Sequence, residues 1–381
     1  MDVTGIICEY NPLHFGHKKQ IDTVKTACPN SGIVCLMSGN YVQRGAPAII
    51  DKTLRAQAAV LCGADLVLEL PLTASLSSAE GFAQEGVRIL SGFCNRLCFG
   101  TESSDRQSLM ATAESLLSPA FSKSLQVELE KGLSFPAARQ AALTALHIEK
   151  DTLTYPNDIL ATEYCKAILR QGSSMEPMPI LRQGNYHDTA PDPENPSATA
   201  LRGLMLKHDR WLDYVPKEAH SVFKDAPLHS LSTGEQAILY RLRTMTDREY
   251  EALPYGSEGL WRKLMHNARK YSTLEEIITA TKSKRYTRTR LDRMVMCAFL
   301  GLIQEDLAAP APYTRVLAFN QTGREILKLA RKTGVFPNAG EQMEHAWQVI
   351  ENRSGDLYGL FAVGQPEPPQ VEENRRIFFL K

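Results

Sequence analysis

Five short apolar runs, each followed by a stretch of helical spacing, constrain this chain more than any other feature. They lie at residues 3–8, 33–37, 64–70, 96–99 and 178–181. Short runs that are mostly apolar at every position read as strands covered on both faces. Strand, helix, strand in that order needs a crossover, and crossovers make parallel sheets. The expected fold class is α/β, a Rossmann-like doubly wound parallel sheet. Residues 51–62, 77–90 and 159–171 supply helices, with Asp51 as one N-cap and Asn157 or Asp158 as another. Residues 103–150 read as mostly helical, with breaks near Pro119 and at 132–136. Residues 178–181 read as the last strand of the sheet.

The first strand ends at a turn signal, Asn11-Pro12, and a helix opens near Phe15. That opening turn is His14-Phe15-Gly16-His17. The first N–H groups of a helix lack partners within it, and the helix dipole adds positive character there. Two imidazoles add donors for a phosphate chain. Gly16, without a side chain, lets a nucleotide approach the backbone. The turn resembles the ATP site of the HIGH-type nucleotidyltransferases, relatives of class I aminoacyl-tRNA synthetases. That resemblance implies attack on the α-phosphate of ATP, with pyrophosphate leaving.

Other candidates for the same anion follow. Residues 38–45 are a polar, glycine-flanked loop past the second strand, where α/β sheets place ligand chemistry. Ser197, Thr199 and Arg202 stand at a helix start, which turns hydroxyls and a guanidinium toward an anion. The same serine also serves as an ordinary N-cap. His14, His17, Arg182 and Arg202 are placed around a triphosphate, with Arg44 and Lys52 as second-rank candidates. Of these, His14, His17 and Arg202 are the catalytic candidates.

The chain has 381 residues, with 43 basic and 43 acidic side chains, so net charge says nothing about partners. No apolar run is long enough for a bilayer, and the N-terminus lacks a signal pattern. The expectation is a cytoplasmic protein without a membrane partner. Eight cysteines show no metal spacing and read as reduced core thiols.

Past residue 211 helical periodicity takes over. The expected division is a catalytic domain over residues 1–210 and a mainly helical domain over 211–381. Residues 313–318 form one late apolar run, a possible strand, and 375–381 a basic and apolar tail. Residues 262–293 carry ten basic against three acidic side chains. Among the ten are Lys282, Lys284, Arg285, Arg288, Arg290 and Arg293. Such a patch suits a phosphate backbone, with Tyr271 and Tyr286 available for stacking on bases.

Together, several strings carry a more specific resemblance. They are residues 5–17, Ser38-Gly39-Asn40 with Gln43-Arg44-Gly45, residues 63–71, Phe99-Gly100-Thr101-Glu102, Pro156-Asn157-Asp158, residues 197–202 and 284–290. In this order they are similar to the bacterial tRNA(Met) cytidine acetate ligases, over nearly the whole chain. Leu13 and Thr101 depart from the family pattern without removing a chemical group. The resemblance implies activation of acetate as acetyl-adenylate with ATP. It then implies acetylation of the wobble cytidine of elongator tRNA(Met) to N4-acetylcytidine. It implies an ATP site of Ile7, Cys8, Glu9, Tyr10, Asn11, Pro12, Leu13, His14, Phe15, Gly16, His17, Lys18, Lys19 and Gln20, with Gly100, Asn157 and Arg182. Mg2+ is expected on the phosphates, held mainly by them and water, with no protein metal site. Two rival readings share the site: a nucleotidylyltransferase acting on a small coenzyme precursor, and an RNA-binding protein without catalysis.

Overall fold

The computed structural model describes residues 1–102, 105–146, 153, 155–182, 197–333, 346–369 and 376–381. The loop 183–188 and the proline-rich stretch 191–196 lie outside these residues, as do Ser103, Lys150 and Arg375.

The strands are β1 (Asp2–Cys8), β2 (Ser31–Ser38), β3 (Tyr41–Val42), β4 (Ala46–Pro47), β5 (Leu66–Leu70), β6 (Arg96–Thr101), β7 (Glu176–Leu181), β8 (Val316–Asn320) and β9 (Phe378–Leu380). β3 and β4 form a separate two-stranded ribbon, and the rest make one sheet in the order β7-β6-β1-β2-β5-β8-β9. From β7 to β5 all pairs are parallel. The chain leaves β1 toward β2 and later returns to its other side at β6. The strand order therefore reverses between β1 and β6, the switch point where such sheets open a crevice.

Alternation along each strand splits the apolar runs between two cores. Val34 and Leu36 join Leu66, Leu68, Phe82 and Leu97 on one face. Ile33, Cys35 and Met37 join Ile6, Ile21, Ala56 and Val67 on the other. Helices cover both faces, as the sequence requires.

Two expectations are corrected. β7 is not the last strand, since β8 pairs antiparallel with β5 and β9 pairs parallel with β8. The late apolar run and the C-terminal tail thus extend the sheet. The helix expected at 159 begins at Pro156 with Tyr155 as N-cap, so Asn157 and Asp158 lie inside its first turn. Residues 211–223 still pack into the second sheet core through Trp211, Leu212, Val215, Ala219 and Phe223. A third, mainly helical core gathers Ile238, Leu264, Ile277, Leu291, Met296 and Tyr358, with Tyr41 of β3 among them. All eight cysteines are free, and six of them are buried. No described helix is long and apolar enough to cross a membrane.

Candidate active site

A cavity of about 360 Å³ opens at the switch point. Ile7 and Cys8 from β1, Phe99 and Gly100 from β6, and Ile180 and Leu181 from β7 form its floor. Three helix starts converge on it: Phe15–Ala27, Pro156–Arg170 and Ala198–Leu206. Each brings the positive end of its dipole.

The first helix is capped by its own histidines. His14 is the N-cap, and its Nδ1 accepts from the Gly16 N–H at 3.1 Å. His17 Nδ1 accepts from the His14 N–H at 3.3 Å. The reciprocal pair is a capping box built from imidazoles instead of hydroxyl and carboxylate. The rings lie 3.8 Å apart, and the Tyr10 ring stands 4.9 Å from that of His17. With both Nδ1 atoms accepting, the ring proton of each histidine sits on Nε2. Burial, then the charges of Arg182 and Arg202, pulls His14 down to about 3. Burial, then His14 and Arg182, holds His17 well below the usual histidine range. Both rings are neutral Nε2–H donors lining the cavity.

This changes what the corner offers. The Gly16 and His14 amides are taken by imidazoles, and the His17 N–H donates to His14 O at 2.9 Å. A phosphate would meet imidazole N–H groups here in place of the His14, Gly16 and His17 amides. Gly16 also lies close against the His14 ring. A Cβ there would stand 3.0 Å from His14 Cε1, so the bare glycine makes room for the imidazole ring.

The arginines are placed by similar means. A Cβ on Gly100 would stand 2.9 Å from Arg182 Cδ, so the bare glycine lets that side chain lie across the end of β6. Arg182 Nη1 donates to Asn157 Oδ1 at 3.4 Å. Glu102 accepts from the Asn157 side-chain amide and from the Asn157 and Asp158 N–H groups, capping that helix. Arg202 donates to Asn11 O at 2.8 Å and to Thr199 Oγ1 at 3.0 Å. Ser197 is the N-cap of its helix, accepting from Ala200 N–H at 3.1 Å. Lys19, Arg44, Arg182 and Arg202 face Glu9 and Glu102 around the cavity, four cations to two carboxylates.

Of the expected ATP-site residues, Ile7, Cys8, Glu9, Tyr10, Asn11, His14, Gly16, His17, Lys19, Gln20, Gly100, Asn157, Arg182, Ser197 and Thr199 line the cavity, with Arg202. Pro12, Leu13, Phe15 and Lys18 do not: Leu13 is fully buried in the second sheet core and Lys18 pairs with Asp22. Arg44 lines the cavity; Lys52 is buried instead, paired with Glu69 at 2.6 Å.

Sequence reading assigned no role of their own to three contributors. Glu102 is one. Gln43 is another; its N–H donates to Glu9 Oε1 at 2.8 Å. Arg55 is the third. Fully buried, it donates to the carbonyls of Glu9, Ser38, Gly39 and Ile50, pinning the ends of β1 and β2. The Ser-Gly-Asn and Gln-Arg-Gly strings are thus partly scaffold. Asn40 bridges Asp51 and the Lys52 N–H, and Gly45, at φ 76°, presses on the backbone of Asp292 and Arg293. Among the described residues no three His, Cys, Asp or Glu side chains converge to hold a metal ion.

The basic segment looks different from its charge count. Lys282, Lys284 and Arg285 are exposed, and Arg285 pairs with Glu258 at 2.6 Å. Arg288 is held by Glu275 and Asp292. Arg290 donates to Tyr255 O and Ser257 Oγ, and lies 5.0 Å over the Tyr286 ring. Arg293 reaches Gln43 O at 3.4 Å and covers the Tyr255 ring. Tyr271 and Tyr286 pack against the helical core, with Lys270 over the former. The rings expected to stack on bases are already engaged.

Comparison with known proteins matches this geometry. A family model described as HIGH Nucleotidyl Transferase covers residues 1–370. The tRNA(Met) cytidine acetate ligase of Clostridium novyi is 37% identical over 358 residues, 88% of this chain and 89% of that protein. The enzyme of that name from Clostridium acetobutylicum is 36% identical over 360 residues, 88% and 89% of the two chains. The crystal structure of Thermotoga maritima TmcAL, apo form I, is 28% identical with a TM-score of 0.91, covering 100% of both chains. A second form of it, bound with alpha-thio ATP, gives 0.88 at the same identity and coverage. This chain belongs to the HIGH nucleotidyltransferase family, among the tRNA(Met) cytidine acetate ligases.

Proposed function

We propose that this chain uses ATP to activate acetate as acetyl-adenylate and acetylates the wobble cytidine of elongator tRNA(Met), releasing AMP and pyrophosphate. The observation that carries the reading is the neutral imidazole pair, locked as Nε2–H donors beside Arg182 and Arg202. Acetate is ionised at neutral pH. Its attack on an α-phosphate calls for alignment and charge stabilisation more than for a base. Four cations and two imidazole N–H groups supply that stabilisation. Mg2+ would accompany the triphosphate, held mainly by its oxygens and water, and would supply neutralisation of the phosphate charge.

Transfer to tRNA needs a second surface. The exposed Lys282, Lys284 and Arg285 give the helical region a phosphate-binding edge. A cytoplasmic site of action goes with a tRNA substrate. The test pairs two assays. Acetate-dependent exchange of labelled pyrophosphate into ATP reads the first half-reaction. Mass analysis of nucleosides from tRNA(Met), with and without the protein, reads the second. Exchange driven by another metabolite instead of acetate would favour a small-molecule nucleotidylyltransferase.

A further inference from the structure

The transfer step forms a carbon–nitrogen bond and releases a proton, so some group must take that proton. The cavity narrows the choice. His14 and His17 carry their ring protons on Nε2, and backbone N–H groups occupy their Nδ1 lone pairs. Lys19, Arg44, Arg182 and Arg202 are cations without an acceptor atom. Burial keeps Cys8, Tyr10 and Tyr164 in their protonated forms. Both oxygens of Glu102 are engaged, Oε1 by the Asn157 side-chain amide and Oε2 by two backbone N–H groups. Glu9 is the remaining carboxylate. Among the described residues its carboxylate accepts one hydrogen bond, from Gln43 N–H to Oε1 at 2.8 Å, which fixes its orientation and leaves Oε2 for a ligand. Gln43, whose N–H makes that bond, also lines the cavity, and its side-chain Nε2 has no hydrogen-bond partner among the described residues.

An acceptor beside a donor matches the pairing edge of cytosine, which offers its N4 amine beside the N3 acceptor. Carboxylates are the usual acceptors for cytosine N4. A carboxylate is also a poor neighbour for a triphosphate, so Glu9 needs a role other than phosphate binding. We propose that Glu9 binds the exocyclic amine of the acceptor cytosine and takes its proton during acetyl transfer, while the Gln43 side chain holds the ring. This rests on the acetyl-transfer reading above and adds the residue that completes it. The N4 lone pair attacks the acetyl carbonyl carbon. The bond from that carbon to the phosphate oxygen breaks, and AMP leaves with the electron pair. One N4 proton passes to Glu9 Oε2. Uracil, with an oxygen in place of the amine, would set acceptor against acceptor and be rejected.

Glu9→Gln keeps an oxygen for the Gln43 N–H and removes the base. The two half-reactions are measured separately on the full chain. The expected result is exchange reduced by less than about tenfold, against a fall of about 10²-fold or more in single-turnover acetyl transfer. Gln43→Leu should raise the KM for tRNA more than it lowers exchange. Equal loss of both half-reactions with a raised Mg2+ requirement would move Glu9 to the metal–nucleotide site and overturn the assignment. Wild-type transfer rates in Glu9→Gln would overturn it too. If the wild-type protein itself fails both assays, the acetyl-transfer reading falls and takes this assignment with it.

Discussion

Two stretches of this chain carry the densest functional signal in the sequence, and the fold treats them in opposite ways. At the β1 corner, residues that cap a helix also line a cavity, so structure and site use different atoms of one side chain. Nδ1 of each histidine holds the helix, and Nε2–H is left for a ligand. In the segment 282–293, Arg288, Arg290 and Arg293 use their donors within the protein, and Lys282, Lys284 and Arg285 hold the exposed edge. A count of charges reports what a segment contains, and the fold decides which of it reaches a partner.

The comparison can be broken at the corner first. His17→Ala should lower acetate-dependent exchange by about 10²–10³-fold, the scale of losing one transition-state donor. Its stability should fall by only about 1 kcal/mol, the worth of a cap. A large stability loss with matching inactivity would make the imidazoles structural.

Gly45→Ala tests whether the loop at residues 38–45 presses on the basic segment. The residue has φ 76°, and a Cβ would press on the backbone of Asp292 and Arg293. Denaturant unfolding should show about 2–3 kcal/mol of lost stability. Gly132→Ala, at φ 83° with nothing within 4 Å, should cost about 1 kcal/mol. Equal costs would mean that the loop and the helix do not press on each other.

Within the basic segment, Arg290→Ala should lower stability by about 2 kcal/mol, because it strips charged hydrogen bonds from the Tyr255 carbonyl. Lys284→Ala should leave the melting temperature unchanged. It should weaken tRNA binding a few-fold and reduce the salt slope by about one. Reversed results would return the half-buried arginines to the tRNA surface.

The smallest effect expected is a flat pH response. The folded value for His14, about 3, lies below its ordinary 6.5. Between those values the unfolded chain binds more protons than the folded one. This histidine's contribution is whole above 6.5 and is lost as pH falls toward 3. Above about pH 5.5 the ring should remain neutral when folded, so exchange should show no imidazole titration. A rate step near pH 6.5, matched to a histidine by NMR, would mean that the pair ionises during turnover.

Much of this was legible because its signals are local. Strand β1, the turn at Asn11-Pro12 and the histidines at the helix start lie within a few residues of one another, and the structure places all of them as expected. What escaped depends on distant partners. Glu9 meets Gln43 across 34 positions, Arg55 meets Glu9 across 46, and Glu102 meets Asn157 across 55. No local pattern announces such pairs. β9 is three residues in a basic tail, and its pairing with β8 makes it a strand where propensity alone would not. Arg290 and Arg293 carry the same sequence signal as Lys284, and only packing tells them apart.

The central claim is that a polyphosphate rests on the imidazole pair. The most direct measurement is the crystal structure of this protein soaked with a non-hydrolysable ATP analogue. The account predicts phosphate oxygens within hydrogen-bond reach of Nε2 on both His14 and His17, with Arg182 or Arg202 beside them. A nucleotide bound elsewhere while that corner holds only solvent would contradict it.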